Sequence, residues 1–385
     1  MNRRLEQAQA CVGQGVAAID TPALVIDLDA MERNLARMAA FAVGRGLRLR
    51  PHAKMHKSAE LAKRQVAHGA VGVCVQKTDE ALALAHAGVH DIFISNEVIA
   101  PAKLARLAAA LRDLPTRFAI AVDSALGITR LAQALDAAGV HAPNAIDVFI
   151  EIDVGQGRCG VAPGEAAVPL ARQIAQHPAL RFAGLQAYHG SAQHQRTPAE
   201  RRIAIEGATQ AVVRSRDALA AAGFSVPLVT GAGTGSFVLE AASGVWGELQ
   251  AGSYLFMDAD YAGNQNEADA PMFEHALFVK SQVMSRRENH AVCDAGHKSH
   301  AIDSGLPAVA WPTGLVFANG GDEHGILRAA APGTALPELG ETVWLIPGHC
   351  DPTVNLHDFA FGVVGGLAAG RVERLIRVDA RAALG

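Results

Sequence analysis

The chain has no Cys-x-x-Cys pair. Its five cysteines, Cys11, Cys74, Cys159, Cys293 and Cys350, are odd in number and scattered over 385 residues, which suits a reducing, cytoplasmic compartment better than a disulfide framework. No apolar stretch is long enough to span a bilayer. Behind Arg3 and Arg4 come Glu6, Gln7, Gln9 and glycines, so no signal core develops. The formal net charge is only −4, with no Lys/Arg cluster of the kind that follows a nucleic-acid backbone. Neither membrane nor nucleic acid is expected as a partner. Low-complexity segments are missing too. What is present is a half-hydrophobic chain of slightly positive mean hydropathy, sized for one large and one smaller domain.

From Thr21-Pro22 onward, compact apolar runs alternate with Ala/Leu-rich segments of helical length. The runs lie at 23–28, 47–54, 72–76, 91–96, 117–123, 146–153, 181–188 and 227–233. Eight β/α units predict a TIM-like (β/α)8 barrel over residues 21–264; an open doubly wound sheet satisfies the same alternation. After about residue 265, short apolar runs separated by Gly/Pro/Asp-rich turns predict a smaller, mainly antiparallel β domain over 265–385. Residues 1–20 have weak periodicity and read as a loose arm or as a strand of a distant domain.

The chemistry-bearing residues fall at the ends of these predicted strands. In LRLRPHAKMHK, a strand over 47–54 sends Arg48, Arg50, His52 and Lys54 to one face, and the lysine stands where the strand yields to its helix. A solvated edge strand would show the same alternation, but in parallel α/β folds catalysis gathers at that strand end. Gly155 to Gly160 form a loop able to turn tightly and present Arg158. The next loop, Tyr188 to His194, carries a phenol, two imidazoles, an amide and a hydroxyl. Gly231 to Ser236, ahead of a short helix, offers backbone N–H groups and hydroxyls to a phosphate. It lacks the P-loop lysine and the dinucleotide glycine spacing, so a phosphorylated cofactor fits better than a nucleotide. His349 and Asp351, two apart, project to one side of an extended segment and suit one cation; a polar turn is the plainer alternative. Asp322 to Gly325 form another polar cluster with no role legible in the sequence. A lysine, a phosphate cradle and a possible cation pair together point to pyridoxal phosphate with an additional cation.

Between about Thr21 and Arg381 the chain resembles the D-threonine aldolase family, in the alanine-racemase-like group of pyridoxal-phosphate enzymes. The motifs are TPALVIDLDAMERN, RPHAKMHKS, VGVCVQKTDEA, ISNEV, EIDVGQGRCGV, LQAYHGSAQH, GTGS, ELQAGSYLFMDADY, DEHG and PGHCDPTVNLHD. The resemblance implies a barrel joined to a β domain that includes the arm 1–20, in a homodimer. It implies Lys54 as the Schiff-base lysine, His194 as a base, and His349 with Asp351 as ligands of Mn²⁺ or Mg²⁺. Gln76, Arg158, Tyr188 and Tyr254 would contact the cofactor ring or its substituents, and Gly233, Thr234 and Gly235 its phosphate. The implied reaction cleaves a D-configured β-hydroxy-α-amino acid, D-threonine-like or 3-hydroxy-D-aspartate, to glycine and an aldehyde. Alternatives are a D-serine or 3-hydroxyaspartate dehydratase, a racemase, and a non-catalytic pyridoxal-phosphate carrier. Dehydratase relatives carry His-x-Cys where this chain has His-x-Asp, and a carboxylate suits a harder ion than a thiolate does. Two positions depart from the family pattern: Ala232, where relatives often have glycine, and His297, where an apolar residue is usual.

Overall fold

The computed structural model describes residues 3–143, 145–267 and 269–385. Eight parallel strands form the barrel sheet: Arg48–Leu49, Val73–Val75, Asp91–Glu97, Arg117–Val122, Ile146–Glu151, Leu180–Ala187, Val229–Gly231 and Glu248–Leu249. The first and last strands pair with each other, and a single bridge between His52 and Cys74 joins the first strand to the second, closing the ring. The second to fifth strands are nearly continuous apolar runs because both faces are covered. Val73, Val75, Ile92, Ile94, Phe118, Ile120, Val148 and Ile150 pack outward against the helices. Cys74, Phe93, Ala119, Ala121 and Phe149 point inward, with the Phe93 and Phe149 rings 4.8 Å apart. The starts of other strands are tied by charge: Arg50, just past the first strand, bonds Glu248 at 3.1 Å and Asp91, and Arg117 and Arg181 converge on Asp147. The opposite rim, at the strand ends, is left for chemistry.

Residues 23–28, expected as the first barrel strand, lie elsewhere. Ala23–Asp27 runs antiparallel to Leu277–Arg286 and parallel to Phe359–Val364, at the centre of the second sheet. Its residues are buried on both faces, as a barrel strand's would be, so the apolar run alone does not distinguish the two positions. The place it vacates in the ring is taken by Glu248–Leu249, only two residues long and without an apolar run. Arg48–Leu49 is also shorter than the expected 47–54, and Lys54 sits in the single 3₁₀ turn Ala53–Met55. The second sheet is otherwise antiparallel and draws mainly on residues after 276. The arm joins it through a helix, Arg3–Ala10, and a short crossing in which Gly13 donates to Val372, Val372 to Gln14 and Val16 to Gly370. No helix among the described residues is long and apolar enough to cross a membrane.

Candidate active site

The strand ends of the barrel and one loop of the β domain enclose a cavity of about 330 Å³. Lys54, Gln76, Arg158, Tyr188, His194, Gly233, Thr234, His349 and Asp351 all line it. Lys54 follows the first barrel strand, and its Nζ lies 3.0 Å from Asp351 Oδ2. The attraction of Asp351 outweighs burial and raises the Lys54 pKa. Burial opposes ionisation of Asp351, but Lys54 and His349 prevail and hold its carboxyl below the usual carboxylate range. The other lysine of the motif, Lys57, is committed elsewhere: its Nζ bonds Glu80 at 3.1 Å and Asn355 at 3.0 Å, away from the cavity.

Gln76, past the second strand, contacts His52 Nε2 at 2.8 Å and Ser95 Oγ at 3.2 Å. Asp153 shapes the loop after the fifth strand by accepting the N–H groups of Gly155 (2.9 Å) and Gly157 (3.0 Å). Gly155 has φ +127°, and a Cβ there would stand 2.8 Å from His189 Nε2. The turn brings the Arg158 guanidinium over the Tyr188 ring, 5.8 Å from its centroid. After the sixth strand, His194 ends the one-turn helix Ser191–His194, and its Nδ1 lies 2.6 Å from Asp260 Oδ2. Gly233 and Thr234 follow the seventh strand and Ser253 the eighth, the pair of loops that commonly hold phosphate in such barrels.

Two of the expected cofactor-binding residues do not line this cavity. Gly235 lies outside this cavity, and its N–H is already taken by Gln193 Oε1 at 2.9 Å. Buried Gln193 also donates to His189 O and Ser236 Oγ, so it bolts the His194 loop to the 233–236 loop, and the glycines there make room for it. Tyr254 contributes no ring to the cavity: its hydroxyl accepts from Gln65 Nε2 at 3.3 Å, and its ring packs on Phe273. Tyr261 takes a place on the cavity wall instead. Ala232 adopts φ +68°, a left-handed conformation that costs an L-residue about 1–2 kcal/mol.

His349 and Asp351 are not on one extended segment. His349 caps the helix Cys350–Asn355 and Asp351 lies in its first turn, yet His349 Nε2 and Asp351 Oδ1 come within 3.8 Å. His349 Nδ1 is held by Asp303 Oδ2 at 2.7 Å, leaving Nε2 to face Asp351. A carboxylate behind a histidine in this way orients it as a metal ligand. Asp351 Oδ1 is buried without a hydrogen-bond partner, a costly arrangement that a cation there would relieve. Among the described residues no group of three or more His, Cys, Asp or Glu is arranged to hold a metal ion. Two protein ligands suit Mn²⁺ or Mg²⁺, which retain water and substrate oxygens in their coordination. Asp303 and Asp260 escape sequence reading because each meets its histidine across a long stretch of chain.

Residues 26–260 match the model of the alanine racemase N-terminal domain, and 276–363 that of a putative serine dehydratase domain. The chain is 45% identical to a D-threonine aldolase of Arthrobacter sp. over 371 residues, covering 96% of this chain and 94% of that protein. The chain belongs to the D-threonine aldolase family of carbon–carbon lyases. It is also 41% identical to a 3-hydroxy-D-aspartate aldolase of Paracoccus denitrificans (strain Pd 1222) over 379 residues, covering 97% and 95% of the two chains. The crystal structure of the D-threonine aldolase from Filomicrobium marinum superposes with a TM-score of 0.91 at 47% identity, covering 97% of this chain and 98% of that one. Family membership implies pyridoxal phosphate.

Proposed function

We propose that the enzyme cleaves the Cα–Cβ bond of a D-configured β-hydroxy-α-amino acid to glycine and an aldehyde, using pyridoxal phosphate and a divalent cation. The observation that carries this reading is the convergence of Lys54, His194 and the His349/Asp351 pair on one cavity. The residues fit both groups. Lys54 would hold the cofactor through its ε-amine, Gly233, Thr234 and Ser253 its phosphate, and Arg158 with Tyr188 one side of its ring. His349 and Asp351 would hold the cation, and their hard carboxylate favours Mn²⁺ or Mg²⁺. When bound, pyridoxal phosphate supplies an electron sink for charge left on Cα and the cation polarises the β-hydroxyl.

The chain's own residues do the rest. His194 accepts the hydroxyl proton at Nε2 as the carbon–carbon bond breaks. His349 and Asp351 share the cavity wall with His194, so the cation they would hold and the proton acceptor would meet at the same hydroxyl. The family resemblance further supports a homodimer, and the five free, scattered cysteines a reducing, cytoplasmic compartment. Purified protein incubated with D-threonine, D-phenylserine and D-3-hydroxyaspartate should release glycine and the matching aldehyde. Ammonia with a keto acid would instead identify a dehydratase, and cofactor binding without turnover a carrier.

A further inference from the structure

The segment Asp258–Asp260 touches both halves of the candidate machinery. Asp258 Oδ2 accepts the Cys350 N–H at 3.0 Å, Ala259 N–H donates to Pro347 O at 3.0 Å, and Asp260 N–H donates to Gly348 O at 3.3 Å. These bonds pin the chain on both sides of His349. The Asp260 side chain turns the other way, to His194 Nδ1 at 2.6 Å. Its second oxygen is held by the Arg196 guanidinium, which also donates to the Asp260 carbonyl at 2.6 Å and to Asn264 Oδ1 at 2.7 Å. Asp260 is only 8% exposed. Burial opposes its ionisation, but the hydrogen bonds from Arg196 and His194 outweigh this and keep the carboxyl below its ordinary range. The Tyr261 ring, 5.7 Å from the imidazole, stands against another side of His194.

An ionised carboxylate only accepts hydrogen bonds, so the nitrogen facing it must carry the proton. We propose that Asp260 is a positioning residue that fixes His194 in the tautomer with Nδ1 protonated and Nε2 free to accept a proton on the cavity side. This rests on the reading of His194 as the proton acceptor. The geometry gives Asp260→Asn a specific consequence. The amide oxygen of asparagine will turn to the Arg196 cation and its NH₂ to His194, so Nδ1 becomes the acceptor and Nε2 takes the proton. The shape of the site is kept while the acceptor nitrogen is lost.

The test compares holoenzyme of wild type, Asp260→Asn, Asp260→Glu and His194→Gln, with ¹⁵N-labelled imidazoles followed by NMR alongside turnover. Asp260→Asn should move the His194 signals from the Nδ1–H to the Nε2–H pattern. Its kcat should fall by about 10²–10⁴-fold, the range a positioned acid–base group supplies. KM should change by less than about threefold, as for an interaction made in the transition state alone. Cofactor absorbance and Mn²⁺ affinity should be unchanged. Asp260→Glu keeps the carboxylate and should keep the wild-type tautomer, which tells positioning apart from simple loss of folding. A wild-type tautomer and kcat in Asp260→Asn, with His194→Gln inactive, would overturn the proposal alone. Wild-type turnover by His194→Gln would instead overturn the reading of His194 on which it rests.

Discussion

Lys57 ties the barrel to the β domain through Glu80 and Asn355, and its replacement by methionine has a calculable effect. Its ammonium, 7% exposed, sits 3.1 Å from Glu80 Oε1 and 3.0 Å from Asn355 Oδ1, at the far end of the helix that begins at Cys350. Glu80 is 3% exposed, and its other oxygen accepts the N–H groups of Gln76 (2.9 Å) and Lys77 (3.1 Å). Lys57→Met therefore strands a buried carboxylate. Breaking a buried pair from one side costs about 3–5 kcal/mol, and the two surviving backbone donors put this case near the lower end, about 3 kcal/mol. Lys57→Met/Glu80→Gln removes the stranded charge while the glutamine carbonyl still accepts both N–H groups, and should recover about 2 kcal/mol of that loss. Urea unfolding of the cofactor-free proteins, followed by circular dichroism, measures both. If Lys57→Met unfolds at the wild-type urea concentration, or the double variant is no more stable than the single one, the ion pair does not hold this junction.

Two other outcomes are expected. Borohydride reduction of the cofactor-loaded enzyme followed by peptide mapping should place the label on Lys54, and Lys54→Ala should abolish it; label on Lys57 or Lys298 would refute the assignment. Burial pushes the Glu240 carboxyl up to about 7, with only partial relief from the Ser236 hydroxyl. The folded state then keeps a proton that the unfolded chain has lost, so this group's contribution to stability is full below about pH 4.5 and is lost as pH rises to about 7. Glu240→Gln should flatten that part of the urea-stability profile, and an unchanged slope would contradict the sign.

The residues that line the cavity were legible in the sequence where their signal is local. Lys54, Arg158 and His194 each stand in a short motif just past an apolar run, so the β/α rhythm alone brings them to one rim. His349 and Asp351 are adjacent enough to be read as a pair, although the helix start at Cys350 replaces the extended segment expected there. Legibility ends where placement depends on distant chain. Ala23–Asp27 is apolar on both faces in either sheet, and only its pairing with Leu277–Arg286 decides the matter. Glu248–Leu249 closes the barrel with two residues, too few to show a period. Tyr254 and Tyr261 share one motif, and nothing local says that the first turns toward Gln65 and the second toward the cavity. The carboxylates behind the two histidines, Asp260 and Asp303, lie 66 and 46 residues from them.

The central claim is that His349 and Asp351 hold a cation that acts on the substrate hydroxyl while Lys54 holds the cofactor. Chelation of the purified enzyme, followed in one cuvette by cofactor absorbance and aldehyde release, tests it most directly. The account predicts an unchanged cofactor spectrum, loss of cleavage, and recovery on adding Mn²⁺, with Asp351→Ala behaving like the chelated enzyme before and after the addition. Cleavage at the normal rate by the chelated enzyme or by Asp351→Ala would contradict it.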